Sequence, residues 1–166
     1  QILAQQKTLQ ENFDNAIAAA NKDFGDKKYM EALAGYQSAL ELKADEKYPQ
    51  AKIAEINTIL AQQKSKQENY DKAIAGADKS FSEKKYAEAL TGYQSALNYL
   101  PAEAYPQGKI TEINGILSAE KAIQDSYEKA IASADKDLAA KKYPEAIAGY
   151  KSALAIKSGE AYPQQK

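Results

Sequence analysis

The chain has 166 residues, a formal net charge of −1, 27% charged residues and 44% hydrophobic residues. That is enough apolar material for a folded chain, and it lacks the basic surplus that nucleic-acid phosphates demand. There is no Cys, no His and no Trp, and every basic residue is Lys. Composition therefore removes disulfides, thiolate nucleophiles, zinc–sulfur sites and the usual general base, so neither a cofactor nor a catalytic role is expected. No apolar run approaches the ~20 residues of a membrane-spanning helix, so membrane insertion is not expected either.

The sequence repeats with a period of 57 residues: Lys28-Tyr29 returns as Lys85-Tyr86 and Lys142-Tyr143, and Tyr48-Pro49 as Tyr105-Pro106 and Tyr162-Pro163. Ile53, Glu55, Ile56 and Asn57 return as Ile110, Glu112, Ile113 and Asn114. Such internal repetition decides the fold before any local argument does. In chain order the segments are repeat 1 over 1–48, repeat 2 over 49–105, repeat 3 over 106–162, and the start of a further helix over 163–166. The first segment opens in mid-helix, because Ile2-Leu3-Ala4-Gln5-Gln6-Lys7 matches Ile59-Leu60-Ala61-Gln62-Gln63-Lys64. The chain thus reads as a piece of a longer array, with native targeting information outside it.

A short helix is predicted near 30–43, followed by a long one over roughly 49–84. The long segment has Pro49 in its first turn, where no amide hydrogen is needed. Its seam runs through Ile53, Ile56, Leu60, Gln63, Gln67, Tyr70, Ile74, Ala77 and Phe81 in alternating steps of three and four, which is a heptad pattern. Capping-box pairs, Ser65 with Glu68 and Thr8 with Glu11, mark an alternative in which this helix breaks near Gln63–Asn69. The unbroken heptad phase favours continuity. A second short helix is predicted over 87–99, with an apolar face of Ala89, Leu90, Tyr93, Ala96, Leu97 and Leu100. The long pattern returns as Ile110, Ile113, Leu117 and onward to Leu138, and a third short helix follows near 144–156. Each long helix is apolar at both ends and polar between, so each end needs its own partner. The expected architecture is all-α: a repeat rod or solenoid of alternating long and short helices forming linked three-helix bundles. With ~54 Å for a 36-residue helix, each unit adds ~25–30 Å to such a rod.

Tyr86-x-Glu88-Ala89-Leu90-x-x-Tyr93-x-x-Ala96-Leu97-x-x-Leu100-Pro101 resembles the second-helix half of a tetratricopeptide repeat. Tyr29, Ala32, Tyr36, Ala39 and Leu40 fit the same motif, as do Tyr143, Ala146, Tyr150, Ala153 and Leu154. The closing Pro is replaced by Ala44 and Ser158 in the other two copies, and the first-helix half lacks the usual Trp and Gly. The period also exceeds the family's ~34 residues. The resemblance implies a helical-hairpin repeat of the kind that binds proteins. The Tyr-rich unit is also similar to helical repeats of bacterial envelope proteins, which implies a site outside the cytoplasm.

Isolated enzyme-like matches carry no reaction. Ser-x-x-Lys occurs at Ser82/Lys85, Ser118/Lys121, Ser126/Lys129 and Ser133/Lys136 without companion motifs. Gly108-Lys109 lacks the upstream Gly and following Ser/Thr of a phosphate loop. Glu31, Glu88, Glu145, Glu55 and Glu112 have Lys at helical spacing and read as solvated faces. The candidate contact residues are a ladder of Tyr29, Tyr86, Tyr143, Tyr48, Tyr105 and Tyr162 with Lys28, Lys85 and Lys142. Such a ladder suits a glycan, peptide or anionic polymer; it equally suits rings packed between helices with their hydroxyls in water.

The expected function is a non-enzymatic structural scaffold or spacer that holds protein partners, or copies of itself, at fixed distances. No small-molecule substrate is expected. The alternatives are a tetratricopeptide-like protein–protein interaction adaptor and a polymer-binding segment that uses the Tyr ladder. The polar middle of the long helix supplies a test. Gln63→Ala should change stability by less than ~0.5 kcal/mol, and Ile74→Ala should cost ~2–5 kcal/mol, both read by denaturant unfolding. Equal costs would make the whole seam a continuous packed interface.

Overall fold

The computed structural model describes residues 2–166. Seven helices account for its regular structure, and there is no strand among the described residues. In order they are α1 (Ile2–Gly25), α2 (Tyr29–Leu42), α3 (Lys47–Ser82), α4 (Tyr86–Tyr99), α5 (Ala104–Ala139), α6 (Tyr143–Ile156) and α7 (Ala161–Gln165). The chain divides into two compact units, Gln1–Tyr70 and Asp71–Lys166.

The long helix is continuous: α3 is helical through all 36 residues, including the stretch Gln63–Asn69. Gln63 is exposed there and Ile74 is partly buried against its own cluster. The helix starts two residues before Pro49. A residue that precedes proline ordinarily resists helical backbone; Tyr48 is nonetheless within α3. Pro49 itself is fully buried.

The helix ends have a distinct cause. Lys27, Lys84 and Lys141 adopt left-handed backbone, with φ of 58–59°. Around them the amide of Lys28 donates to the Asp23 carbonyl at 2.8 Å and that of Lys27 to Phe24 at 3.0 Å. The same pair of bonds closes α3 through Lys85 and Lys84, and α5 through Lys142 and Lys141. This is the Schellman termination, which normally places glycine at the left-handed position. It ends α3 at Ser82 rather than 84. The following Lys28, Lys85 and Lys142 then stand at the N-caps of α2, α4 and α6, their carbonyls accepting from Ala32, Ala89 and Ala146.

In the first unit, Ala20 of α1, Ala32 and Tyr36 of α2, and Ile56 of α3 form a buried cluster. Ile17, Phe24, Leu33, Ile53 and Leu60 pack around it. In the second unit, Ala77, Ala89, Tyr93 and Ile113 draw on α3, α4 and α5, and Ala134, Ala146 and Tyr150 on α5 and α6. Of the apolar face predicted for the second short helix, Ala89, Leu90 and Tyr93 belong to the Ala77 cluster, Ala96 is buried, and Leu97 and Leu100 are half-buried. Complete burial of one such Ile is worth roughly 2 kcal/mol of transfer energy.

The helices of each pair touch at their backbones. A Cβ placed on Gly35 would lie 2.9 Å from Ala20 Cβ; on Gly92, 2.8 Å from Ala77; on Gly149, 2.8 Å from Ala134. No methyl group fits at these crossings. Gly76, also helical, has nothing within 4 Å of such a Cβ. Gly76→Ala should therefore stabilise the chain by ~0.5–1 kcal/mol through helix propensity alone. Gly92→Ala gains the same propensity but must force α4 off α3, and overpacking of ~1–3 kcal/mol leaves a net loss. Paired urea denaturation curves would read the two opposite signs.

Candidate functional site

The helix crossings place one polar motif three times. The residue after each crossing alanine is Asn21, Asp78 or Asp135, and the residue after each crossing glycine is Tyr36, Tyr93 or Tyr150. Because the backbones meet at Ala and Gly, the tyrosine ring passes across the first helix and its hydroxyl reaches the Asx side chain. Tyr36 donates to Asn21 Oδ1 at 2.6 Å, Tyr93 to Asp78 Oδ1 at 2.6 Å, and Tyr150 to Asp135 Oδ1 at 2.5 Å. A second tyrosine enters from the first turn of the next helix. Tyr48, Tyr105 and Tyr162 donate to the same three oxygens at 2.7, 2.8 and 2.9 Å.

The two rings of each pair meet edge to face, with centroids 6.2–6.3 Å apart and planes at 74–79°. That is the preferred aromatic geometry, worth about 0.5–1.5 kcal/mol beyond burial. The inner rings are buried, Tyr36 and Tyr93 completely, while the outer rings are 44–48% exposed. Each motif is thus a clamp: a buried phenol, a half-exposed phenol, and one oxygen between them that ties three helices together.

The electrostatics follow from this. Burial, and then the neighbouring Tyr48, pushes the Tyr36 phenol up to about 12. Burial pushes Tyr93 up as well, reinforced by its bond to the Asp78 carboxylate. For Tyr150 the bond to Asp135 is the larger cause, with burial second. Tyr105 and Tyr162 are raised first by their bonds to Asp78 and Asp135. A phenol that donates to a carboxylate holds its proton more tightly, since losing it would set two anions side by side.

The ladder residues singled out in the sequence do not share one packing role. Tyr48, Tyr105 and Tyr162 belong to the clamps. Tyr29 and Tyr86 instead lie edge-on to Phe24 and Phe81, with centroids 5.8 Å apart. Tyr143 follows Leu138 in place of a Phe and is 56% exposed. Lys28, Lys85 and Lys142 are exposed at the caps; the Lys85 ammonium pairs with Glu83 at 2.7 Å. Other lysines sit on rings, among them Lys52 over Phe24 at 4.4 Å and Lys109 over Phe81 at 4.3 Å, each also paired with Glu55 or Glu112 at 2.8 Å. Among the described residues, no group of three or more Asp or Glu side chains is placed to hold a metal ion, and no helix is long and apolar enough to cross a membrane.

Asn21, Asp78 and Asp135 were not apparent as site residues in the sequence, although they recur at the repeat period. Their signal is weakened because the first copy carries an amide and the others an acid. No protein-family model matches the chain, and no curated protein matches it in sequence.

The clamps predict a graded response. Tyr93→Phe removes a donor from a carboxylate and should cost ~1.5–3 kcal/mol, whereas Tyr36→Phe, whose acceptor is a neutral amide, should cost ~0.5–1.5 kcal/mol. The pH dependence has a definite sign. The folded state keeps the Tyr36 proton up to about 12, and the unfolded chain releases it near ~10. The clamp's contribution is complete below pH ~10 and is lost as pH rises through that window. Thermal unfolding of the native chain and of Tyr36→Phe across this range should show the shallower decline in the variant.

Proposed function

We propose that the chain is a non-enzymatic structural spacer, a rod of tandem helical repeats that holds protein partners at set distances. The observation that carries this reading is the sameness of the clamps. Three oxygens bind two phenols each at 2.5–2.9 Å, with ring geometries that agree within a few degrees. A protein that reads a specific ligand needs different side chains in different repeats. A protein that sets a distance needs each joint to be the same.

The chemistry of the clamps supports the same reading. A catalytic phenol acts through an accessible group whose pKa has been brought towards the working pH. These phenols are driven the other way, and the inner three are enclosed. Their polar capacity is spent on each other and on one oxygen, which leaves a joint rather than a reactive centre.

The tetratricopeptide-like adaptor is the competing architecture, and shape separates the two. A compact 166-residue fold has a radius of gyration near ~15 Å. A rod built from ~25–30 Å per repeat should instead give ~25–30 Å. Small-angle scattering of the isolated chain measures this. A value near the compact figure would rule out the spacer and favour helices coiled around a groove.

A further inference from the structure

The long helices α3 and α5 have the same length, but their middles are not held alike. On α5, the Lys157 ammonium at the end of α6 donates to Gln124 Oε1 at 2.9 Å, lies 5.2 Å over the Tyr127 ring and pairs with Glu160 at 2.7 Å. On α1, Lys43 at the end of α2 does the same, bonding Gln10 Oε1 and lying 5.2 Å over Phe13. In both places an ammonium fastens the end of a short helix to the long helix before it. The residue at the same register after α4 is Leu100, which has no proton to donate.

Every residue of α3 from 61 to 68 is exposed. The buried residues of α3 lie on either side, Ile56 towards its start and Ala77 towards its end. Between them the Lys64–Glu68 pair, 3.9 Å apart with both side chains mostly in water, adds little. These two turns are therefore kept helical by their own backbone bonds. Breaking a helix in its interior requires one further nucleation on closing, a factor of about a thousand, while each additional residue opened costs little. Opening at Ile56 or Ala77 would instead break a packed cluster.

We propose that residues 61–68 of α3 are a built-in opening segment, which unfolds locally and reversibly while Ile56 and Ala77 stay buried. As helix this segment spans ~12 Å; opened, it can reach ~26 Å. α3 thus has a longer form as well as a shorter one. In α5 the same change is opposed at Gln124 and Tyr127 by the Lys157 ammonium. The proposal goes beyond the spacer reading and does not rest on it, since exchange of individual amides reads the opening whatever the chain's overall dimensions.

The test is amide hydrogen exchange of the full 166-residue chain, isotope-labelled, read residue by residue at urea concentrations below the unfolding transition. The amides of 61–68 should exchange about a thousand-fold more slowly than in an unfolded chain, at a rate nearly independent of urea. Those of Ile56 and Ala77 should be far slower and should quicken steeply with urea, because they exchange only on global unfolding. The amides of 121–124 in α5 should exchange about ten-fold more slowly than their counterparts 64–67 in α3, since a hydrogen bond from a charged group holds them. Lys157→Leu, which copies the residue at 100, should abolish that difference while helical circular dichroism is kept. Exchange of 61–68 in step with Ile56 and Ala77, at the same urea dependence, would overturn the proposal. So would equal rates at 64–67 and 121–124 in the unaltered chain, or rates at 121–124 indifferent to Lys157→Leu. The unaltered chain alone decides the first two outcomes, whether or not the variant folds.

Discussion

The closest approach in each helical pair is between two residues with almost no side chain. Ala20 against Gly35, Ala77 against Gly92 and Ala134 against Gly149 leave no room for a single added methyl. That contact sets how far a tyrosine one residue along must reach. At this separation the phenol of Tyr36, Tyr93 or Tyr150 meets an Asx oxygen on the partner helix. The next helix is then located by its own tyrosine, which bonds the same oxygen. A wider crossing would leave a buried hydroxyl without a partner, and that costs more than the bond itself contributes. Tight packing and polar satisfaction are thus one constraint.

This arrangement explains how small helical units can be specific with few large residues. Much of the buried core is alanine, with Tyr36, Tyr93, Ile56 and Ile113 as the largest enclosed apolar and aromatic side chains. Alanine brings helices close but does little to fix their register. The paired tyrosines supply it, since their hydroxyls must reach one atom. The left-handed lysines at 27, 84 and 141 belong to the same economy: the turn into the second helix of each pair is held by the Schellman bonds and by the packing beyond it, so the backbone tolerates a residue other than glycine. For function, uniform joints of this kind favour a spacer.

The helices were legible in the sequence because their signals are local and periodic. Alternating three- and four-residue steps through Ile53, Ile56 and Leu60 mark the long helix, and Ala89, Tyr93 and Ala96 mark the buried face of the short one. The half-turn errors at the ends have physical causes that a local pattern does not contain. Tyr48 is helical although it precedes a proline, in a structure where its hydroxyl bonds the distant Asn21, and α3 stops at Ser82 because Lys84 turns left-handed. The Tyr ladder was visible as a list of positions, but its division was not. Tyr29 and Tyr48 share a period and composition, yet one lies on Phe24 and the other on Tyr36 and Asn21.

By itself the sequence determined an all-helical chain, the 57-residue period and the absence of thiol and imidazole chemistry, and it favoured the long helix as continuous. These depend on residue type and on spacing along one helix, which a single strand of text records. Only the tertiary structure decided which phenols are paired, which oxygen they share and which glycines are contact points. Those properties join residues 15 and 27 positions apart in the chain across a helix crossing. Their distances are set by how closely two backbones can approach, and no periodicity along either helix encodes that.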